Sequence, residues 1–339
     1  MHVMKAAKVL TAYIREDTPA FLSGPVGIGK SAVVRQTKDA LGLRGFIDFR
    51  ASTRDPVALM GLPDLNGDTT RWLPPDELPQ VERDGEDGVL FLDELNTAPP
   101  AMQAAMFGLV LDRKVGEYTL PPKWRVVAAG NRQKDKAAAQ RMPSALANRF
   151  AHIAVEPDYS SDHTNVHTQY FDQQGVDPKL IAFLRFRPEL IHKMPEVGDQ
   201  MAFPTPRSWE RAAKFMAEAP MDRYDLISGI VGDDAATELN AFLDLYTSLP
   251  SVDQVVNDPR GTKVPDKVSA RYAITSALAR KVTKDTLPAC ITYTERMNRD
   301  FNIAFVFEAA SRDASLSSSQ AFIAWATKNH DVMTRNVGK

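Results

Sequence analysis

The stretch Gly24-Pro25-Val26-Gly27-Ile28-Gly29-Lys30-Ser31 most constrains what this chain can fold into. Four residues separate Gly24 from Gly29-Lys30-Ser31, the spacing of a phosphate-binding loop. Such a loop needs a strand before it and a helix after it. Pro19-Ala20-Phe21-Leu22-Ser23 is a short apolar run that reads as a buried strand, and Ser31-Ala32-Val33-Val34-Arg35-Gln36 reads as the start of a helix. The glycines let backbone N–H groups turn inward around phosphate oxygens, and the helix N-terminus adds partial positive charge. Lys30 suits the outer phosphates and the Ser31 hydroxyl suits Mg²⁺. The candidate nucleotide-binding residues are therefore Gly24, Pro25, Val26, Gly27, Ile28, Gly29, Lys30, Ser31 and Ala32.

Two further runs have the same strand character. Val89-Leu90-Phe91-Leu92-Asp93-Glu94 follows a Gly- and Asp-rich turn. Its unbroken apolar stretch predicts a strand covered on both faces, and its carboxylates fall at the C-terminal end, where parallel sheets hold ligands. Asp93 suits the Mg²⁺ shell. Glu94 suits a base that orients and polarises a water. Arg125-Val126-Val127-Ala128-Ala129-Gly130-Asn131 reads as another buried strand and leaves Asn131 at the same edge. Strands alternate with helices over residues 18–156, which predicts a parallel α/β sheet. Beyond Tyr159 the patterning is helical, over 169–186, 206–219, 234–249 and 268–282.

A chain of 339 residues exceeds one compact core, so several domains are expected. The expected division is an α/β nucleotide-binding domain at 1–157, a helical lid at 158–250 and a helical extension at 251–339. The net charge of -2 supplies no field that draws the chain onto nucleic acid or anionic lipid. The lone cysteine, Cys290, excludes an intrachain disulfide, which fits a cytoplasmic setting. No run is long and apolar enough to predict a membrane span.

The motifs together resemble AAA+ ATPases, and among them the MoxR-like group. The resemblance is carried by residues 24–31, by Leu92-Asp93-Glu94-Leu95-Asn96-Thr97-Ala98-Pro99-Pro100, by 128–131 and by 143–150. Pro204-Thr205-Pro206-Arg207-Ser208 adds the Pro-Arg signature of a helical lid. It spans about residues 1–250 and implies a P-loop AAA+ parallel-sheet core with a C-terminal all-helical lid and a helical extension. It implies ATP and Mg²⁺ as ligands, Asn131 as the sensor of the lytic water, and Arg207 as a second sensor. It implies Arg149 as an arginine finger acting on the neighbouring subunit's nucleotide, with Arg141 as the other candidate. A finger in trans implies a ring, as in a hexamer. The partners it implies are a protein client and a protein with a von Willebrand factor A domain, served by a chaperone-like remodelling activity. Segments 53–75 and 112–122 match positions of family inserts. The segment 45–50 matches poorly, and no pore residue is assigned.

The alternative on the same fold is a nucleic-acid-associated motor or restriction-type NTPase, which the charge balance disfavours. A P-loop small-molecule kinase ranks below it, having no need of Asn131, Arg149 and Arg207 together. His163 and His167, with Asp162 beside them, have a zinc-like spacing but no third ligand. The basic residues between Arg260 and Lys284 read as a solvated helix face. Trp72 suits either a partner contact or an anchor for its own loop.

Overall fold

The apolar runs become neighbouring strands of one sheet. The computed structural model describes residues 1–54, 56–64, 71–135, 140–161, 164–195, 201–246 and 249–336. The chain divides into two compact units, Met1–Pro157 and Asp158–Lys339.

The first unit begins with α1 (Val3–Arg15), β1 (Ala20–Ser23), α2 (Lys30–Ala40) and β2 (Gly45–Arg50). Short α3 (Pro56–Met60) and a hairpin of β3 (Leu62–Asp64) with β4 (Arg71–Leu73) follow. Then come α4 (Val81–Asp84), β5 (Asp87–Asp93) and α5 (Pro100–Leu111). A second small hairpin pairs β6 (Lys114–Val115) with β7 (Tyr118–Thr119). β8 (Lys123–Gly130), α6 (Ser144–Ala147) and β9 (Ala151–Ala154) complete it. The sheet order is β2-β5-β8-β1-β9, with every pairing parallel.

Helices cover both faces, which is why the central strands tolerate unbroken apolar sequence. On β5, Val89 and Phe91 join α1 and α2 in one apolar cluster, through Leu10, Ile14, Val33 and Val34. Leu90 and Leu92 join the other, with Met102, Met106 and Leu109 of α5. Alternate strand residues thus feed opposite cores, as the two-residue period of a strand requires. Trp124 is fully buried at the start of β8, and its indole N–H donates to the Gly85 carbonyl at 3.0 Å.

The regular elements of the second unit, among its described residues, are all helices. It contains α7 (Val166–Gln173), α8 (Pro178–Phe186), α9 (Pro206–Ala212), α10 (Pro220–Val231), α11 (Asp233–Tyr246), α12 (Val252–Asn257) and α13 (Val268–Lys281). α14 (Leu287–Glu295), α15 (Arg299–Arg312), α16 (Gln320–Lys328) and α17 (His330–Asn336) follow. One apolar cluster centres on Phe183, Trp209 and Phe242, and another on Tyr293, Phe305 and Trp325. The expected parallel core and helical remainder are both present.

The helical patterning over 169–186 is realised as two helices, α7 and α8. Gly175 adopts a φ of +70° just after α7, and Asp177 caps α8 by accepting from the Lys179 N–H at 2.8 Å. Pro178 then occupies the first helical position, where a missing N–H costs nothing. The apolar spacing runs through this break and conceals it.

A buried charge cluster holds this unit together. Glu308 of α15 is 3% exposed and pairs with Arg185 of α8. Glu308 also accepts from Ser276 of α13 at 3.2 Å and from Arg312 at 3.3 Å. Arg312 reaches Asp172 of α7 at 2.7 Å. Four helices from sequence-distant segments are therefore bound by one carboxylate and its partners.

Candidate functional site

Because β1, β2, β5 and β8 are parallel neighbours, their C-terminal ends share one edge of the sheet, the position where open α/β sheets bind ligands. The phosphate loop leaves β1 there. Gly29 stands at the head of α2 with φ +99° and ψ 20° and provides no side-chain cap. The first-turn N–H groups of α2 are thus left for an anion to cap. An ideal Cβ at Gly29 would meet no atom within 4 Å, so glycine is required by conformation and not by crowding. Gly29→Ala is expected to destabilise the first unit by about 1–2 kcal/mol, the cost of a left-handed alanine, measurable by urea unfolding.

Lys30 is 9% exposed. Its ammonium donates to the carbonyls of Gly24 at 2.9 Å and Pro25 at 3.0 Å, and to Asn131 Oδ1 at 2.9 Å. The Ser31 hydroxyl donates to Asp93 Oδ2 at 3.4 Å, and Asp93 Oδ1 accepts from the Glu94 N–H at 3.0 Å. Burial pushes the Asp93 carboxyl above the ordinary aspartate range. The charges of Asp48 and Glu94 push the same way, while the Glu94 N–H and Lys30 oppose the shift.

Glu94 is exposed and holds a left-handed backbone, φ 54° and ψ 30°. A non-glycine residue there is strained and needs its surroundings to keep it. Thr97 does so twice, donating from N–H at 2.9 Å and from its hydroxyl at 2.8 Å to the Glu94 carbonyl. The Ser52 hydroxyl, just beyond β2, donates to Glu94 Oε2 at 2.8 Å. Ser52 has no sequence signature, because only the pairing of β2 with β5 brings it to Glu94.

Lys30, Ser31, Asp93, Glu94 and Asn131 therefore meet at one edge. Asn96, inside the quoted Asp-Glu-Leu-Asn run, joins them: its side-chain N–H donates to the Asn131 carbonyl at 2.7 Å. Arg132 is fixed next door by Asp135 at 2.8 Å and Glu156 at 2.6 Å.

The arginines Arg141, Arg149 and Arg207 take no part in these contacts. Arg149 is exposed between α6 and β9, with its guanidinium carbon 5.9 Å from the Phe107 ring centre. Ala151 is level with Ala20 in the β1–β9 register, and Ala154 with Ser23. Arg149 thus sits at the opposite edge of the sheet from the loop that follows Ser23. β1 alone separates them by about 10 Å, at ~3.3 Å per strand residue. Arg141 is also exposed. Arg207 belongs to the second unit, exposed in the first turn of α9, which Thr205 and Ser208 cap reciprocally.

Among the described residues there is no group of His, Cys, Asp and Glu that suits a bound metal. His163 and Asp162 lie outside the described residues; His167 is buried, and its Nε2 accepts from the Asp158 N–H at 3.4 Å. Among the described residues no helix is long and apolar enough to cross a membrane.

The model of the AAA domain (dynein-related subfamily) matches residues 19–150, less than half of the chain. Within the α/β unit, residues 19–150 are thus similar to an AAA domain. No curated protein matches. Among solved structures, NtrX from Brucella abortus in complex with ADP is 16% identical, covering 93% of this chain and 68% of its own, with a TM-score of 0.43. NtrX from the same organism in complex with ATP is 15% identical, covering 97% and 67%, with a TM-score of 0.41.

Proposed function

We propose that this chain is an ATP-hydrolysing, MoxR-like remodelling ATPase that works as a ring on a protein client. The observation that carries this is the meeting of Lys30, Ser31, Asp93, Glu94 and Asn131 at one sheet edge, inside the span that matches the AAA domain.

Each residue has a task that its surroundings suit. The Lys30 ammonium sits beneath the loop and is placed to meet phosphate oxygens as a point charge. Ser31 Oγ and the half-buried Asp93 carboxylate are adjacent oxygen donors, a set that fits a hard divalent cation. Mg²⁺ held there would neutralise charge developing on the phosphates. Glu94 is exposed at the end of β5 and held by Ser52, as a base that accepts a proton from an attacking water requires. Asn131 Oδ1 already bonds Lys30, so its amide is placed to orient the same water.

Arg149 is on the far edge from its own loop, and this supports a role at the neighbouring subunit's nucleotide. A planar cation there would stabilise the charge spread over the transferring phosphoryl group. Mixing Arg149→Ala with Lys30→Ala subunits tests this by phosphate release. Each alone is expected to be nearly inactive. The mixture should regain activity, since a Lys30→Ala subunit still offers Arg149 to its neighbour's intact loop. A mixture as inactive as its components removes the ring with a finger in trans. The client and a von Willebrand factor A partner follow from the resemblance of the 92–100 run. Val57, Met60, Leu62 and Leu73, exposed on α3 and the β3–β4 hairpin, support a client-facing surface.

A further inference from the structure

Asn96 is buried to 7% exposure, yet it is polar and lies between three functional segments. It follows Glu94 by two residues. Its side-chain N–H donates to the Asn131 carbonyl at 2.7 Å. Its own carbonyl accepts from the Gln140 N–H at 2.8 Å. Gln140 precedes Arg141 and leads toward Arg149. The orientation of the amide is fixed, because the reverse placement would set Oδ1 against the Asn131 carbonyl. Oδ1 itself is buried without a partner, a cost that a purely structural position would shed by carrying an apolar residue. Room for this amide is made by Gly130: a Cβ there would lie 2.0 Å from Asn96 Oδ1.

We propose that Asn96 is a positioning residue that couples the nucleotide site to the arginine-bearing segment of the same subunit. The connected path is Lys30 to Asn131 Oδ1, Asn131 carbonyl to the Asn96 amide, and Asn96 carbonyl to Gln140 N–H. A phosphate that draws on Lys30 changes the pull on Asn131. That change passes through Asn96 to the backbone preceding Arg141, and so to the exposed arginines offered to a neighbour. Contiguous hydrogen bonds between packed segments are a physical route for such coupling. This rests on the ATPase reading above for the identity of the ligand.

Amide deuterium exchange on the full chain, with and without Mg²⁺ and the non-hydrolysable analogue AMP-PNP, tests it. In the wild type, AMP-PNP is expected to change exchange across 140–149 by about tenfold, a shift in local opening. In Asn96→Ala, compared at saturating AMP-PNP, this response is expected to vanish. Gln140→Pro is the second variant. Its side chain is exposed, and the substitution deletes the N–H that Asn96 accepts while also fixing φ at that position. It too should silence the 140–149 response, and it carries the test should Asn96→Ala not fold. A wild type that binds AMP-PNP without any change across 140–149 overturns the coupling and leaves the ATPase reading standing. A response that persists in both variants also overturns it. A wild type that binds no AMP-PNP overturns both.

Discussion

Glu94→Gln is expected to lower ATP turnover by about a hundredfold to ten-thousandfold, the usual worth of a positioned general base, while nucleotide affinity changes little. Glutamine keeps the size of the side chain and an oxygen for the Ser52 hydroxyl, which lies 2.8 Å from Glu94 Oε2. It does not alter Lys30 or Ser31. What it removes is the ability to take a proton. Lys30→Ala should differ in kind. It deletes the ammonium that bonds Gly24, Pro25 and Asn131, so affinity should fall together with turnover. Paired measurement of AMP-PNP binding and phosphate release separates the two. Turnover that survives Glu94→Gln would show that another group activates the water and that the assignment of this edge is wrong.

Glu308→Ala is expected to destabilise the helical unit by about 3–5 kcal/mol, the cost of stranding a buried charge. Arg185 is 7% exposed and would lose its carboxylate. Ser276 would lose an acceptor, and Arg312 would lose Glu308 while keeping Asp172. The control is a double replacement, Arg185→Met with Glu308→Leu. Removing both charges for apolar groups of similar volume should restore most of the stability, because the loss comes from an unpaired ion and not from the pair's net worth. Urea unfolding followed by the near-ultraviolet signal checks it, since Trp209 and Trp325 both lie in this unit. A double variant as unstable as Glu308→Ala would mean that the cluster stabilises by more than mutual neutralisation.

The sheet was readable because its strands are buried on both faces, so each announces itself as an apolar run, most plainly at 89–92 and 126–129. The phosphate loop was readable because its chemistry is local: glycines, a lysine and a serine act at fixed spacing between adjacent elements. Ser52 was not. A serine after a strand carries no pattern, and its contact with Glu94 depends on β2 pairing with β5. The break at Gly175 was hidden because the apolar period continues across it, while the αL glycine and the Asp177-Pro178 start act at single positions. The burial of Glu308 had no local signal, since the arginine it pairs with, Arg185, lies 123 residues away.

The sequence by itself determined what depends on neighbours along the chain: the loop at 24–31, the acidic strand end at Asp93 and Glu94, the alternation of strand and helix, and the change to helix after Tyr159. Only the tertiary structure decided what depends on neighbours in space. It set Asn131 against Lys30, Ser52 against Glu94 and Asn96 beneath Asn131. It also put Arg149 at the edge away from its own loop. The physical reason is that propensity and periodicity act over a few residues, whereas a hydrogen bond between distant segments exists only once strand order and register have been fixed by burying both faces of the sheet.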